Sequence, residues 1–134
     1  MLKLNSTFLQ SVTFKNCKIL GVNFSECQDF LFSVSFQSCM LDYVSFAGKK
    51  MVKTSFAKCS LKQADFTQTN LSGSAFGDCD LMDAVFARTN LTEAKLDTAY
   101  NYTIDPEINI LKKASFSING VAGLLSKYGI KIVH

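Results

Sequence analysis

Cysteine is the residue type in this 134-residue chain with the most chemistry to offer. It stands at positions 17, 27, 39, 59 and 79, and such a set could hold a metal or run a thiol redox cycle. The spacing speaks against a metal: no ligand motif of the usual kind occurs, and the sole histidine is the terminal His134. Asp78, Asp80 and Asp83 form a second set, close enough in sequence to suggest paired carboxylates for acid–base work. No apolar pocket is predicted beside them to raise a pKa, so a solvated face accounts for them better. No nucleophile has a base partner and no phosphate-binding loop is present, so neither an enzyme nor a cofactor is expected.

The elements that carry these residues recur every five positions. Phe36, Leu41, Phe46, Met51, Phe56, Leu61, Phe66, Leu71, Phe76, Leu81, Phe86, Leu91 and Leu96 are large and apolar. Two residues before each stand Val34, Cys39, Val44, Lys49, Thr54, Cys59, Ala64, Thr69, Ser74, Cys79, Ala84, Thr89 and Ala94, all small or β-branched except Lys49. Two inward positions in five fit neither a strand, with one in two, nor a helix, with stripes at three and four. A period of five is satisfied by a narrow solenoid whose successive coils hydrogen-bond at strand spacing, roughly 4.8 Å.

Ala64-Asp65-Phe66-Thr67-Gln68 and Thr69-Asn70-Leu71-Ser72-Gly73 resemble the pentapeptide-repeat family, whose consensus is close to A-(D/N)-L-x-x. The resemblance covers residues 2–98. It implies an all-β solenoid, a right-handed quadrilateral β-helix of about five coils with four units in each. On that geometry Phe36, Phe56 and Phe76 stack on one face, Phe46, Phe66 and Phe86 stack on the opposite one, and the leucine centres fill the other two. Leu4, Leu9, Phe14, Ile19 and Phe24 continue the pattern upstream in a shifted frame, because two extra residues fall within 28–33. With those two counted, Cys17, Cys39, Cys59 and Cys79 form a vertical inward ladder. A line of thiols cannot converge on a tetrahedral metal, so buried apolar filler is the better account.

Interruptions of the repeat are where a particular function is expected. Lys49, charged at an inward place directly above the insertion, is expected to turn outward at a bulge, toward Asp29. Phe30 and Phe32 in the insertion, with Val52 one coil later, make an apolar patch. Asp29, Phe30, Phe32, Lys49 and Val52 are therefore candidate partner-binding residues, unless the bulge folds over and buries its own rings. After Leu96 the repeat is expected to stop, so residues 1–98 are read as the β-helix and 99–134 as a capping or dimerisation module. Asp105 and Pro106 suggest one helix start, and Ala114-Ser115-Phe116 looks like one more unit after the chain leaves the coil and returns. Ser117 or Asn119 can cap a second helix ending at Gly129, with Ile130–Val133 as a terminal strand. This tail is similar in layout to that of Qnr-type pentapeptide-repeat proteins, and the resemblance implies a homodimer through Val121, Leu124, Leu125, Tyr128, Ile130 and Ile132.

Composition bounds the partner. Hydrophobic content of 48% suits one globular domain, and the odd cysteine count and the unremarkable Met1-Leu-Lys start make a cytoplasmic address the expectation. No apolar run is long enough for a membrane span. Leu2 and Leu4 are in register with nothing capping them, so further repeats or another chain are expected to cover that edge. A rigid rod with flat faces is read as a non-enzymatic protein-interaction scaffold. The alternative implied by the Qnr resemblance is a DNA mimic that binds DNA gyrase or topoisomerase IV. Mimicry needs a dense negative surface, yet residues 1–98 hold ten Lys or Arg against nine Asp or Glu. Direct nucleic-acid binding is not expected, since the basic residues are interleaved with acidic ones.

Overall fold

The structure, a computed structural model, describes residues 12–26 and 34–133. It is a solenoid whose strands β1 (Thr13–Lys15), β2 (Ser35–Gln37), β3 (Ser55–Ala57), β4 (Ala75–Gly77), β5 (Lys95–Leu96) and β6 (Ser115–Phe116) form one parallel sheet in chain order. Single bridges complete the other sides: Lys18, Met40, Ser60, Asp80 and Tyr100 form one column, Asn23, Ser45, Asp65 and Val85 another, and Lys50, Asn70, Asn90 and Ile110 a third. Each side thus advances one coil at a time through the same backbone pairing.

Register locates the insertion. Phe14 pairs with Phe36 but Phe36 pairs with Phe56, so the first coil is two residues longer. Asn23 to Ser45 shows the same excess and Lys50 to Asn70 does not, which puts the extra residues after Asn23. The segment 27–33, including Cys27, Asp29, Phe30 and Phe32, lies outside the described residues.

The core is built by stacking. Phe14, Phe36, Phe56 and Phe76 lie face to face with centroids 5.3, 5.2 and 5.0 Å apart. Phe24, Phe46, Phe66 and Phe86 do the same on the facing side, at 4.9, 5.6 and 5.2 Å. Across the interior the two stacks meet edge to face, as Phe46 and Phe56 do at 5.9 Å, the geometry that ring quadrupoles favour. Leu41, Leu61 and Leu81 fill one remaining side and Met51, Leu71 and Leu91 the other, all fully buried. Burying each such side chain stabilises by about 1.5–3 kcal/mol.

Two local rules explain the rest of the unit. Where the residue before a centre is Asp or Asn it caps its own turn: Asp65, Asn70, Asp80 and Asn90 each accept, through Oδ1, the N–H two residues on, at 2.9–3.1 Å. The residue two after most centres is left-handed, as in Ser38, Tyr43, Gln63, Gln68 and Arg88; Glu26 and Thr98, after Phe24 and Leu96, are not. Among the described residues, none of the thirteen non-glycine residues with positive φ is β-branched, which is the steric limit expected there.

The small inward position has work of its own. Thr69 and Thr89 donate their hydroxyls to the carbonyls of Phe46 and Phe66 in the coil below, at 3.0 and 2.7 Å, and Ser74 donates to Met51 at 2.8 Å. Each of these carbonyls also accepts a bond within its own coil, from the Lys49 N–H, the Thr69 N–H and the Thr54 hydroxyl, so the donor from the coil above fills a second lone pair.

The coil does not end at Leu96 as the sequence pattern suggests. Tyr100 still bridges Asp80, Ile110 bridges Asn90 and β6 pairs with β5. Backbone pairing does not require a Phe or Leu centre; Ala99, Tyr102 and Ile104 fill this last turn, and Asn109 Nδ2 takes over the inward donor's role, reaching the Phe86 carbonyl at 2.9 Å. Departure from the coil is confined to one side, where Asp105–Ile108 make a single turn and not the expected helix; Asp105 Oδ1 accepts the Glu107 N–H at 2.9 Å.

Thr89→Val keeps shape and removes one hydroxyl from a fully buried site. Loss of about 0.5–1.5 kcal/mol in denaturant unfolding is expected, since the Phe66 carbonyl loses this hydroxyl and keeps only the Thr69 N–H. The same change at the exposed Thr103 should shift stability by less than about 0.5 kcal/mol.

Candidate functional site

The thiol column is as regular as the rings. Cys39, Cys59 and Cys79 are free and buried, with Cys17 half-buried below them. Each buried thiol donates to the centre carbonyl of the coil beneath, Cys39 to Phe14, Cys59 to Phe36 and Cys79 to Phe56, at 3.3, 3.6 and 3.4 Å. They are the sulfur counterparts of Thr69 and Thr89. Burial pushes the Cys39 thiol up. The hydrogen bond between Cys59 and Cys79 raises Cys79, burial raises it further, and any ionisation of that pair falls on Cys59.

Of the three aspartates, Asp80 is the one with a structural role among the described residues. Asp80 accepts the Met82 N–H at 3.1 Å and the Asn101 amide at 3.0 Å, and lies 3.8 Å from Lys62 Nζ. Asp78 and Asp83 are exposed at separate left-handed corners. They do not converge on a common point.

Lys49 corrects the expectation placed on it. Its side does not bulge: Lys49 N–H donates to Phe46 at 3.0 Å and its carbonyl accepts the Asn70 N–H at 2.9 Å, matching Thr69 one coil later. The side chain is only 6% exposed and the residue is not without a partner. A lysine can lay its four-carbon stem inside while its amine is satisfied, so charge alone did not decide its direction. Val52 is half-buried and lines a groove with Lys53, Ser72, Gly73, Glu93 and Lys95, so its surroundings are polar among the described residues. Asp29, Phe30 and Phe32 fall outside those residues.

The C-terminal end closes the coil by a different device from the predicted α-helix and strand. Two 3₁₀ turns, Val121–Leu124 and Ser126–Tyr128, follow Ser117, whose Oγ accepts the Gly120 N–H at 3.0 Å. Gly129 ends the second turn in the left-handed region, φ 61°, as the sequence suggests. Residues 130–133 form no strand.

The cause is Tyr102, which is buried, packs 5.7 Å from Phe116 and sits beneath the turns. A Cβ at Gly120 would stand 2.0 Å from the Tyr102 hydroxyl and one at Gly123 2.2 Å from its carbonyl. Three residues per turn eclipse positions 120 and 123, so both glycines face the tyrosine, which 3.6 would not achieve as well. The Ile104 N–H then donates to the Gly123 carbonyl at 3.0 Å. Sequence reasoning missed Tyr102 because it lies off the five-residue beat; the Gly-x-x-Gly spacing was the available signal.

Outside this plug, Lys127 Nζ bridges Asp105 at 3.2 Å and Glu107 at 2.7 Å. The Glu107 and Asp105 carboxylates raise the Lys127 pKa; the Glu107 N–H, then Lys127, lowers that of Asp105. Of the candidate dimer residues, Leu124 and Leu125 are half-buried, Leu124 against the core, while Val121, Tyr128, Ile130 and Ile132 are exposed. Ile118, at 91%, and Val133 are exposed as well. Among the described residues no group of three potential metal ligands gathers, and no helix is long and apolar enough to cross a membrane.

Comparison with known proteins places the fold. The family profile described as pentapeptide repeat region matches residues 7–96. No curated protein matches the chain by sequence. Among solved structures it is similar to HetL, a pentapeptide repeat protein involved in heterocyst differentiation regulation from the cyanobacterium Nostoc sp. strain PCC 7120, with TM-score 0.62 and 19% identity. That match covers 78% of this chain but 47% of HetL, so the chain spans about half the length of that relative. A pentapeptide repeat protein from the Arabidopsis thaliana thylakoid lumen matches with TM-score 0.56 and 14% identity, over 89% of this chain and 74% of the other. Full-length QnrB1, a plasmid-mediated fluoroquinolone resistance protein, has TM-score 0.37 and 11% identity, over 96% of this chain and 95% of its own.

In a Cys27→Ser protein, Cys17 should react with a thiol reagent in native buffer while Cys39, Cys59 and Cys79 react only as the chain unfolds. Fast labelling of more than one thiol would contradict the closed ladder. Gly123→Ala should loosen the cap by about 1–3 kcal/mol, because its methyl group meets backbone. Tryptic cleavage at Lys127 is expected to accelerate while the circular dichroism of the coil is retained.

Proposed function

We infer that this chain, which belongs to the pentapeptide-repeat family, is a non-enzymatic scaffold for protein–protein contact. The observation that carries this is the pairing of a closed rod with an open apolar end. Along the rod the polar backbone is committed to neighbouring coils, so the faces are already ordered and little conformational entropy is lost on docking. At the C-terminal end Ile118, Val121, Tyr128, Ile130, Ile132 and Val133 remain exposed, a concentration of apolar side chains of the kind that marks contact sites.

The occupant proposed for that end is a second copy of the chain, held through Val121, Leu124, Leu125, Tyr128, Ile130 and Ile132. Leu124 already leans on the coil and Leu125 is half-buried beside it in sequence, so a partner would extend an existing core and would not have to order a free tail. The rival reading, a gyrase or topoisomerase IV ligand imitating DNA, draws no support from surface charge. Lys50, Lys53, Lys58 and Lys62 are exposed on the middle coils, where a mimic needs carboxylates.

Light scattering at micromolar concentration should report a dimer. Ile130→Asp combined with Ile132→Asp should yield a monomer with the coil's circular dichroism unchanged, since both side chains are exposed. A monomeric parent protein would refute the dimer. In a gyrase supercoiling assay with and without quinolone, no effect at tenfold excess is expected; relief of inhibition would favour the mimic.

A further inference from the structure

Coils stacked in register turn charges at matching positions into a stripe. The side formed by residues 50–53, 70–73, 90–93 and 110–113 carries Lys50, Lys53, Lys112 and Lys113, with Lys95 on the adjoining β5, against a single acid, Glu93. All five lysines are exposed, and among the described residues none is in an ion pair, whereas Lys62 and Lys127 are. Backbone bonds fix these columns: the Lys53, Gly73 and Glu93 N–H groups donate to Ser72, Thr92 and Lys112 carbonyls, each at 2.8 Å.

A groove of about 430 Å³ opens in the middle of the stripe, between Val52, Lys53, Ser72, Gly73, Glu93 and Lys95. It exists because Gly73 occupies the left-handed corner, φ 70°, where the neighbouring coils place Lys53 and Glu93. The Lys53 stem lies over the gap, its Cγ 3.1 Å from the place a Cβ would take. Val52 supplies a half-buried apolar wall.

We propose that this side is the docking surface for an acidic, extended peptide segment of a partner protein. Carboxylates of the segment lie against Lys53 and Lys95 and along the stripe to Lys112 and Lys113, and one small side chain enters the gap over Gly73. Three coil steps span roughly 15 Å, the reach of four or five extended residues. A peptide suits this side better than a nucleic acid, because the side has no aromatic ring for a base to stack on and no arginine to fork onto a phosphate. The inference rests on the scaffold reading and assigns it a face and a ligand chemistry.

The probe is fluorescein-labelled hexaglutamate, titrated by fluorescence anisotropy at low salt, with circular dichroism confirming that each variant folds. Lys53→Glu combined with Lys95→Glu should weaken binding about tenfold, and Lys58→Glu, on the next corner, by less than about twofold. Gly73→Asn leaves the charge unaltered and suits the left-handed corner, as Asn16 does with φ 53°, but fills the gap. A loss of about threefold there supports the groove. Absence of saturable binding, equal losses in Lys58→Glu and the double variant, or tighter binding of an oligothymidylate of equal charge would overturn the proposal. If hexaglutamate fails while the protein still dimerises, the basic side is refuted and the scaffold reading stands.

Discussion

Everything in this molecule follows from the parallel backbone pairing that sets each coil directly on the one below. Because partners such as Phe36 and Phe56 stand at identical points of successive coils, every column must tolerate the same residue type at every level. Close packing then demands constant volume per coil, met by two rings and two aliphatic chains. The same pairing leaves the centre carbonyls facing inward, and hydroxyl and thiol groups two positions before the next centres supply their donors. Cysteine and threonine are interchangeable at that place for this reason, and chemistry that cysteine could do elsewhere is absorbed by the core.

A ladder of this kind has no internal reason to stop, so its ends need separate solutions. At the C-terminal end the last coil keeps three of its sides, and Tyr102 replaces the regular filling beneath two glycine-faced 3₁₀ turns. Among the described residues the Tyr102 hydroxyl is buried with no hydrogen-bond partner, a cost that the packing of Phe116 against its ring must offset. The plug is thus tight but polar at its centre, and it leaves isoleucines outside. A surface built in this way differs from the rod's faces: the faces are set by register, the end by a few large side chains.

Legibility followed the same division. The ring stacks, the thiol column and the two-residue excess in the first coil were readable, because a fixed period leaves only one arrangement in which columns align. Asp65 and Asn70 before their centres were visible as a motif, although their role as turn caps needed the hydrogen bonds. Lys49 was misjudged because direction depends on whether a long stem can be accommodated, which no local pattern encodes. The tail was misjudged because helical spacing of Val121, Leu124, Leu125 and Tyr128 is also compatible with tighter turns, and the choice lay with Tyr102 some twenty residues away.

The sequence by itself therefore determined the rod: its cross-section, its inward columns and the place where the first coil is longer, since each depends on spacing alone. Only the tertiary structure decided how the thiols are satisfied, where Lys49 points, that the coil keeps its pairing at Tyr100 and Ile110 on the way to the unit at Phe116, and that five lysines share one side around the gap at Gly73. Those features depend on contacts between residues about twenty positions apart or on the absence of a side chain, and neither leaves a trace in a five-residue beat.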